Sequence, residues 1–158
     1  MKKIIIGALI ALMSLTGCSG WKNSTGLLGV KMANEKLAQD SSPVRYTSEE
    51  SEYGVNSQPY LLGKISSSVA DAVLKQDVLK LIMQKENTSN ITLVQTRFLS
   101  KKVDPFTVYE IWIIKGKENN DLDAYTVKLI NSPQGGVDII LLGAARVYKD
   151  MLKEEKVK

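Results

Sequence analysis

The feature that most constrains the fold is an almost continuous apolar run at residues 106–115, with the sequence Phe-Thr-Val-Tyr-Glu-Ile-Trp-Ile-Ile-Lys. Its β-branched and aromatic residues predict a β-strand. Side chains alternate between the two faces of a strand, and both faces of this run are largely apolar. Such a strand needs cover on both sides, so we expect it in the centre of a sheet.

Three further β-type runs accompany it, at residues 91–99, 122–131 and 137–142. The polar connections between the four runs are about five or six residues long, which is too short for the crossovers that parallel strands need. We therefore expect an antiparallel meander of four strands. Beyond Gly143 the chain either extends the fourth strand or forms a short C-terminal helix to about Lys153, and its apolar spacing slightly favours the helix.

One long helix is predicted before the sheet, from about residue 69 to residue 86. Ser68 and Asp71 match a helix-capping signature, and Asn87 opens a polar stretch that should end the helix. Apolar residues recur in between at helical spacing: Ala70, Val73, Leu74, Val78, Leu81 and Ile82. This stripe could contact a partner, but such a helix more commonly packs on its own sheet.

A helix packed on one face of a four-stranded antiparallel meander is an α+β fold. The element order resembles that of cystatin-like folds. The likeness is one of architecture and implies no function.

The N-terminus has the parts of a secretory signal, followed by a cysteine. Lys2 and Lys3 precede an apolar segment of about ten residues, the length of a signal-peptide core and about half of what spans a bilayer. The next residues, Leu15-Thr16-Gly17-Cys18, resemble the bacterial lipobox. The resemblance implies that residues 1–17 are a signal peptide and that Cys18 carries lipid as the first residue of the mature chain. The alternatives are a secretory signal with a chance cysteine and a short membrane anchor.

Lipidation implies a membrane surface as one partner, reached through Cys18. Two or three acyl chains on one cysteine, such as a diacylglycerol and a palmitate, hold a protein stably, whereas one chain holds it only marginally. Ser19 follows the cysteine. In lipoproteins that obey the enterobacterial sorting rule, Asp at this position means inner-membrane retention, so Ser favours the outer membrane facing the periplasm if the source is Gram-negative.

Composition excludes several kinds of chemistry. The chain has one cysteine and no histidine, which excludes an intramolecular disulfide, histidine-dependent nucleophilic catalysis and the usual zinc sites. No phosphate-binding loop or calcium-loop motif is present, and we expect no cofactor and no metal. The net charge of +4 includes the two lysines of the signal segment, so it does not support nucleic-acid binding.

Residues 18–59 are rich in polar and small residues and are predicted to be a flexible tether, with a short helix at about residues 30–39. A coil of this length spans roughly 30–40 Å. Trp21 or Tyr53 could instead dock on the folded domain. The globular domain is predicted at residues 60–152, followed by a charged tail at residues 153–158.

One candidate site lies on the apolar strand. If Leu99 pairs with Phe106, Gln95 lies opposite Glu110 and Arg97 lies diagonal to it. A carboxylate beside Arg97, Trp112 and the neighbouring Tyr109 could bind a ligand or partner, or act as an acid or base. A structural ion pair on a solvated face explains the same residues, and core packing explains the aromatic residues. We therefore expect no catalytic residues.

These observations leave three functions open. The first is a non-enzymatic, membrane-anchored envelope lipoprotein that acts by protein–protein contact in a secretion, conjugation, assembly or surface complex. The second is an inhibitor or small-ligand binder that uses the sheet face around Tyr109, Glu110 and Trp112. The third, an enzyme that depends on carboxylates, needs a second acid close to Glu110.

Overall fold

The computed structural model describes residues 19–99, 104–116 and 121–153, with side chains from residue 23 onward. The predicted signal peptide, Cys18 and most of the predicted charged tail lie outside these ranges. Within them the chain forms two α-helices, nine strands and one 3₁₀ helix. None of the described helices is long and apolar enough to cross a bilayer.

The helices are α1 (Ser19–Gln39) and α2 (Ala72–Glu86), and the 3₁₀ helix is Lys149–Leu152. Five short strands precede α2 in sequence: β1 (Val44–Tyr46), β2 (Glu49–Ser51), β3 (Gly54–Asn56), β4 (Pro59–Leu61) and β5 (Lys64–Ile65). Four longer strands follow α2: β6 (Ile91–Leu99), β7 (Thr107–Gly116), β8 (Leu122–Asn131) and β9 (Val137–Val147).

The main sheet has five antiparallel strands in the order β5-β6-β7-β8-β9. The predicted α+β class is confirmed, but the predicted count of four strands is wrong. Lys64 and Ile65 add a fifth strand by pairing with Phe98 and Arg97 at the edge of β6. A strand of two residues carries too little periodicity to be recognised in the sequence.

One face of the sheet, here called the helix face, packs against α2. Asp71 is the N-cap of α2, and its side chain accepts the Leu74 N–H. Asn87 ends the helix in a left-handed conformation. Val78 and Ile82 of α2 are fully buried in a cluster with sheet residues Val108, Trp112, Ile114, Tyr125, Val127 and Leu129. The helix forms because this apolar stripe has a sheet face to cover.

The other face, here called the hairpin face, is covered by the N-terminal segment and the C-terminus. Its buried cluster joins Ile111, Ile113, Leu122, Ala124 and Val147 of the sheet to Val44, Leu61 and Met151. Strands β1 and β4 pair as one small antiparallel sheet, and β2 and β3 pair as another. The flexible tether predicted at residues 18–59 is therefore wrong over its described part, since this segment forms α1 and short strands and its Val44 belongs to the buried cluster.

Helix α1 packs on these small sheets. The Asn34 side-chain amide bonds both backbone groups of Tyr46 over 2.8 Å, and the Asn23 amide donates to the Ser51 carbonyl. Gly26 lies so close to Val55 that an added Cβ would be 2.9 Å from Val55 Cγ2. The predicted short helix at residues 30–39 is the second half of this longer helix.

The choice left open after Gly143 is resolved in favour of the strand. Strand β9 continues to Val147, which pairs with Leu122 of β8. The short helix that the apolar spacing favoured is only the 3₁₀ helix Lys149–Leu152. Its Met151 side chain is 7% exposed and belongs to the hairpin-face cluster.

Candidate functional site

Glu110 is a buried carboxylate whose hydrogen bonds join parts of the fold. It is 1% exposed and lies on the helix face. Oε2 accepts hydrogen bonds from the Ser68 hydroxyl at 2.7 Å and from Trp112 Nε1 at 2.8 Å, and Oε1 accepts the Val69 N–H at 2.7 Å. Three donors compensate the desolvation of the charged group. The carboxylate thereby holds the segment before α2 on the central strand.

Arg97 is the corresponding buried cation on the hairpin face. It is 2% exposed, and its Nη1 donates to the Leu61 carbonyl at 3.3 Å. Nη2 donates to the carbonyls of Met151 and Leu152 at 3.1 and 2.9 Å, and Nε donates to the Gln95 side chain. Arg97 therefore joins β4 and the 3₁₀ helix to strand β6.

The predicted pairing of β6 with β7 is wrong, so the residues of the predicted site do not lie together. Glu110 lies opposite Phe98, and Arg97 lies opposite Ile111 on the other face. Leu99 pairs with Tyr109, not with Phe106, and this shift by an odd number of positions exchanges the faces on which the paired side chains lie. Glu110 and Arg97 are thus on opposite faces and cannot bind one ligand together.

The aromatic residues of the predicted site are separated in the same way. Trp112 is fully buried on the helix face. Tyr109 is half-buried on the hairpin face, and the Lys128 Nζ lies 5.7 Å from the centre of its ring. The predicted ligand face around Tyr109, Glu110 and Trp112 is therefore not formed, since only Tyr109 borders open space.

That space is a cleft of about 630 Å³ between the hairpin face and the segment that joins α1 to β1. Small-molecule sites have typical volumes of roughly 300–1,000 Å³. Leu62, Leu99 and Leu142 supply apolar wall. The polar groups at the cleft come from both layers: Ser41, Ser42, Arg45, Asp104, Thr107, Tyr109, Thr126 and Lys128.

Thr126 is the unusual residue of the cleft. It is 6% exposed, and its Oγ1 has no hydrogen-bond partner among the described residues. Across all described side chains, this is the single buried nitrogen or oxygen in that condition. A buried hydroxyl without a partner is destabilising, so its retention in the wall of a cleft suggests a partner that comes from outside the chain.

The charges at the cleft are two cations and one anion. Arg45 Nη1 donates to the carbonyls of Ser42 and Val44 at 2.9 and 2.7 Å. Neither Arg45 nor Lys128 forms an ion pair with a described carboxylate. Asp104 is exposed, and the Phe106 N–H and Thr107 hydroxyl donate to its carboxylate and hold its pKa below its usual value. The Asp104 side chain therefore stays ionised at neutral pH.

A second polar cluster lies on the helix face. The Tyr125 hydroxyl donates to Glu86 Oε1 at 2.5 Å, and burial together with this carboxylate raises the pKa of Tyr125 far above its usual value. Burial also raises the pKa of the Asp123 carboxyl, while the Arg146 guanidinium opposes that shift. Arg146 bonds both Asp121 and Asp123. No group of side chains within residues 19–99, 104–116 and 121–153 is suited to hold a metal ion.

The sequence carried little signal for the cleft. Arg45 falls in the segment that was predicted to be a coil, and Lys128 and Thr126 fall in a strand whose partner register could not be derived. Lys128 interrupts the apolar run of β8, which is the one visible sign. Its position across from Tyr109 follows only from the observed pairing.

Comparison with known proteins gave no match: no protein-family model, no curated protein and no solved structure is significantly similar to the chain.

Proposed function

We propose that the protein is a bacterial envelope lipoprotein, anchored to a membrane through lipid on Cys18, that acts by protein–protein contact in a secretion, conjugation, assembly or surface complex. The outer membrane, facing the periplasm, is its location if the source is Gram-negative. The lipobox resemblance at residues 15–18 supports the anchor. The cystatin-like element order stays an analogy of architecture and contributes nothing to this function.

One structural observation carries the proposal further. The described part of helix α1 reaches back to Ser19, the residue after the cysteine, and the helix contacts β1 and β3 of the domain. At 1.5 Å per residue the helix is about 30 Å long. An acylated Cys18 would therefore be joined to the domain by a helix, and the orientation of the domain at the membrane would be restricted.

The outward side of α1 offers a surface for a protein partner. Leu28 and Met32 are 55% and 61% exposed and lie one helical turn apart. Two exposed apolar residues at this spacing match one face of a helix that docks on another protein. No chemistry is assigned to Glu110, because the three hydrogen bonds to its carboxylate serve the fold.

Metabolic labelling tests the anchor. The full chain, expressed in a Gram-negative host with an alkyne analogue of palmitate, is expected to carry the label and to sediment with membranes. Cys18→Ser should lose the label, whereas Ser24→Ala, a small change in α1 outside the motif, should keep it. An unlabelled wild-type chain, or equal labelling of Cys18→Ser, would contradict the proposal.

Site-specific photo-cross-linking tests the protein contact. A photoreactive amino acid at Met32 is expected to give one discrete adduct in native membranes. The control position is Tyr148, which is 66% exposed and lies at the other end of the described chain. An adduct at neither position, or the same adduct at both, would count against a partner on α1.

Small-ligand binding remains the second candidate. The surface predicted for it around Tyr109, Glu110 and Trp112 is not exposed, because Glu110 and Trp112 are buried on the helix face. The cleft beside Tyr109, with the unpartnered Thr126 hydroxyl, is the observation that favours it.

A further inference from the structure

The cleft on the hairpin face has the composition of a binding site for an amphiphilic small molecule. Its wall combines leucine side chains and the Tyr109 ring with a few charged and hydroxyl groups. Ligand sites of about this volume are lined in the same way, with apolar residues for affinity and a few polar groups for orientation.

The unpartnered hydroxyl indicates what a ligand would have to supply. Thr126 Oγ1 is buried and lacks a partner among the described residues, and Thr126 lines the cleft. A hydroxyl can donate one hydrogen bond and accept two. The oxygen itself has almost no exposed surface, so binding requires a change of the Thr126 rotamer that brings the hydroxyl to the cleft. An anionic oxygen would then accept its hydrogen in a charge-assisted bond, which is stronger than a neutral one.

The charges favour a ligand with one negative charge. Arg45 and Lys128 form no ion pair with a described carboxylate. Asp104 carries the opposing negative charge and is close enough to Lys128 for that cation to contribute to its lowered pKa. The three groups together have a surplus of one positive charge. A monoanion balances it, whereas a dianion would be repelled by Asp104 without a matching cation.

We infer that the cleft binds a small organic monoanion in which one carboxylate is attached to an apolar body. Lys128 and Arg45 attract the carboxylate, and the Thr126 hydroxyl donates a hydrogen bond to it. The apolar body packs on the leucines and on the Tyr109 ring. This site needs no acylation of Cys18, so it stands or falls independently of the membrane anchor.

Two matched probes test the inference: 1-naphthaleneacetate and 1-naphthaleneacetamide, which share their rings and differ in charge. Their binding to the purified full chain is measured by equilibrium dialysis, with buffer alone as the blank. The carboxylate is expected to bind about tenfold tighter than the amide, since one charge-assisted contact has about this effect. Naphthyl phosphate, with close to two charges, should bind no tighter than the carboxylate.

Two variants assign the effect to the cleft. Lys128→Met keeps the aliphatic stem and should reduce the preference for the carboxylate to about twofold, and Thr126→Val should weaken carboxylate binding about fivefold. Lys115→Met is the control, because it removes the same charge from the same sheet face outside the cleft and should leave the preference unchanged.

Circular dichroism and a urea unfolding curve are recorded for each variant, so that a folding defect is recognised as such. Equal binding of acid and amide, binding of neither probe, tighter binding of the phosphate, or an equal effect of Lys115→Met would each overturn the inference.

Discussion

The Ser68 hydroxyl donates a hydrogen bond to Glu110 Oε2 over 2.7 Å, across 42 positions in the chain. With the Val69 N–H on Oε1, it holds the segment before α2 against the central strand. The start of the helix and the middle of the sheet are therefore fixed by one buried carboxylate.

Glu110→Gln tests this role. An amide keeps one oxygen but turns an NH₂ group toward donors, so at least one hydrogen bond is lost and a donor is left unsatisfied. The free energy of unfolding, measured in urea, should fall by about 2–3 kcal/mol. Glu35→Gln, an exposed change on α1, should alter it by less than about 0.5 kcal/mol. An unchanged midpoint for Glu110→Gln would mean that the carboxylate is retained for another reason.

Two threonines on the hairpin face should respond in opposite directions to the same substitution. Thr126→Val removes a buried hydroxyl without a described partner and should raise the free energy of unfolding by about 1 kcal/mol. Thr107→Val removes the donor of a 2.8 Å bond to Asp104 and should lower it by about 1 kcal/mol. Thermal and urea unfolding of both variants check the signs. Destabilisation by Thr126→Val would show that its hydroxyl has a partner in the free protein.

Arg97→Lys should loosen the C-terminus. The lysine ammonium cannot reach the carbonyls of Leu61 and Leu152 together, as the guanidinium does. We expect a loss of about 2–3 kcal/mol in the free energy of unfolding and faster tryptic cleavage after Lys149. Arg146→Lys, on an exposed ion pair, should cost less than about 1 kcal/mol. Equal cleavage rates in the two variants would argue against the clamp.

The protonation of Tyr125 should depend on folding. Its pKa is raised by burial and by the Glu86 carboxylate, so folding favours the neutral phenol. This preference contributes stability that is complete below the unfolded-state pKa of about 10 and is lost as the pH rises through the folded-state value. At pH 11, wild-type and Tyr125→Phe chains should therefore show the same phenolate absorbance when folded.

In urea at the same pH, the wild-type chain should show one phenolate more than the variant. One extra phenolate in the folded wild-type chain at pH 11 would mean that Tyr125 ionises in the folded state.

Local patterns predicted the long strands and the end of the main helix. Residues 91–99 and 122–131 are the bounds of β6 and β8 in the structure, because alternation and polar turns act within a few residues. The C-terminus of α2 at Glu86 follows from Asn87, which adopts the left-handed conformation that ends helices.

Relationships between distant segments were not predictable in the same way. The pairing of Glu110 with Phe98 depends on the length of the connection, and a bulge between Leu93 and Gln95 then shifts the pairs at the start of β6. The N-terminal layer was missed because its strands have three residues each. Its helix packs through Asn23, Gly26 and Asn34, which have no apolar pattern. The cleft lies between this N-terminal layer and the main sheet, so it was missed as well.

Gly143 lies where the two layers meet. An added Cβ at this position would collide with the backbone oxygens of Asp40 and Ser41, and Ser41 and Leu142 both border the cleft. The height of the cleft is thus set by the absence of a side chain. Alanine at Gly143 would act as a spacer that lifts the end of α1 from the sheet, and a single methyl group would change the shape of the cleft without touching any of its charged residues.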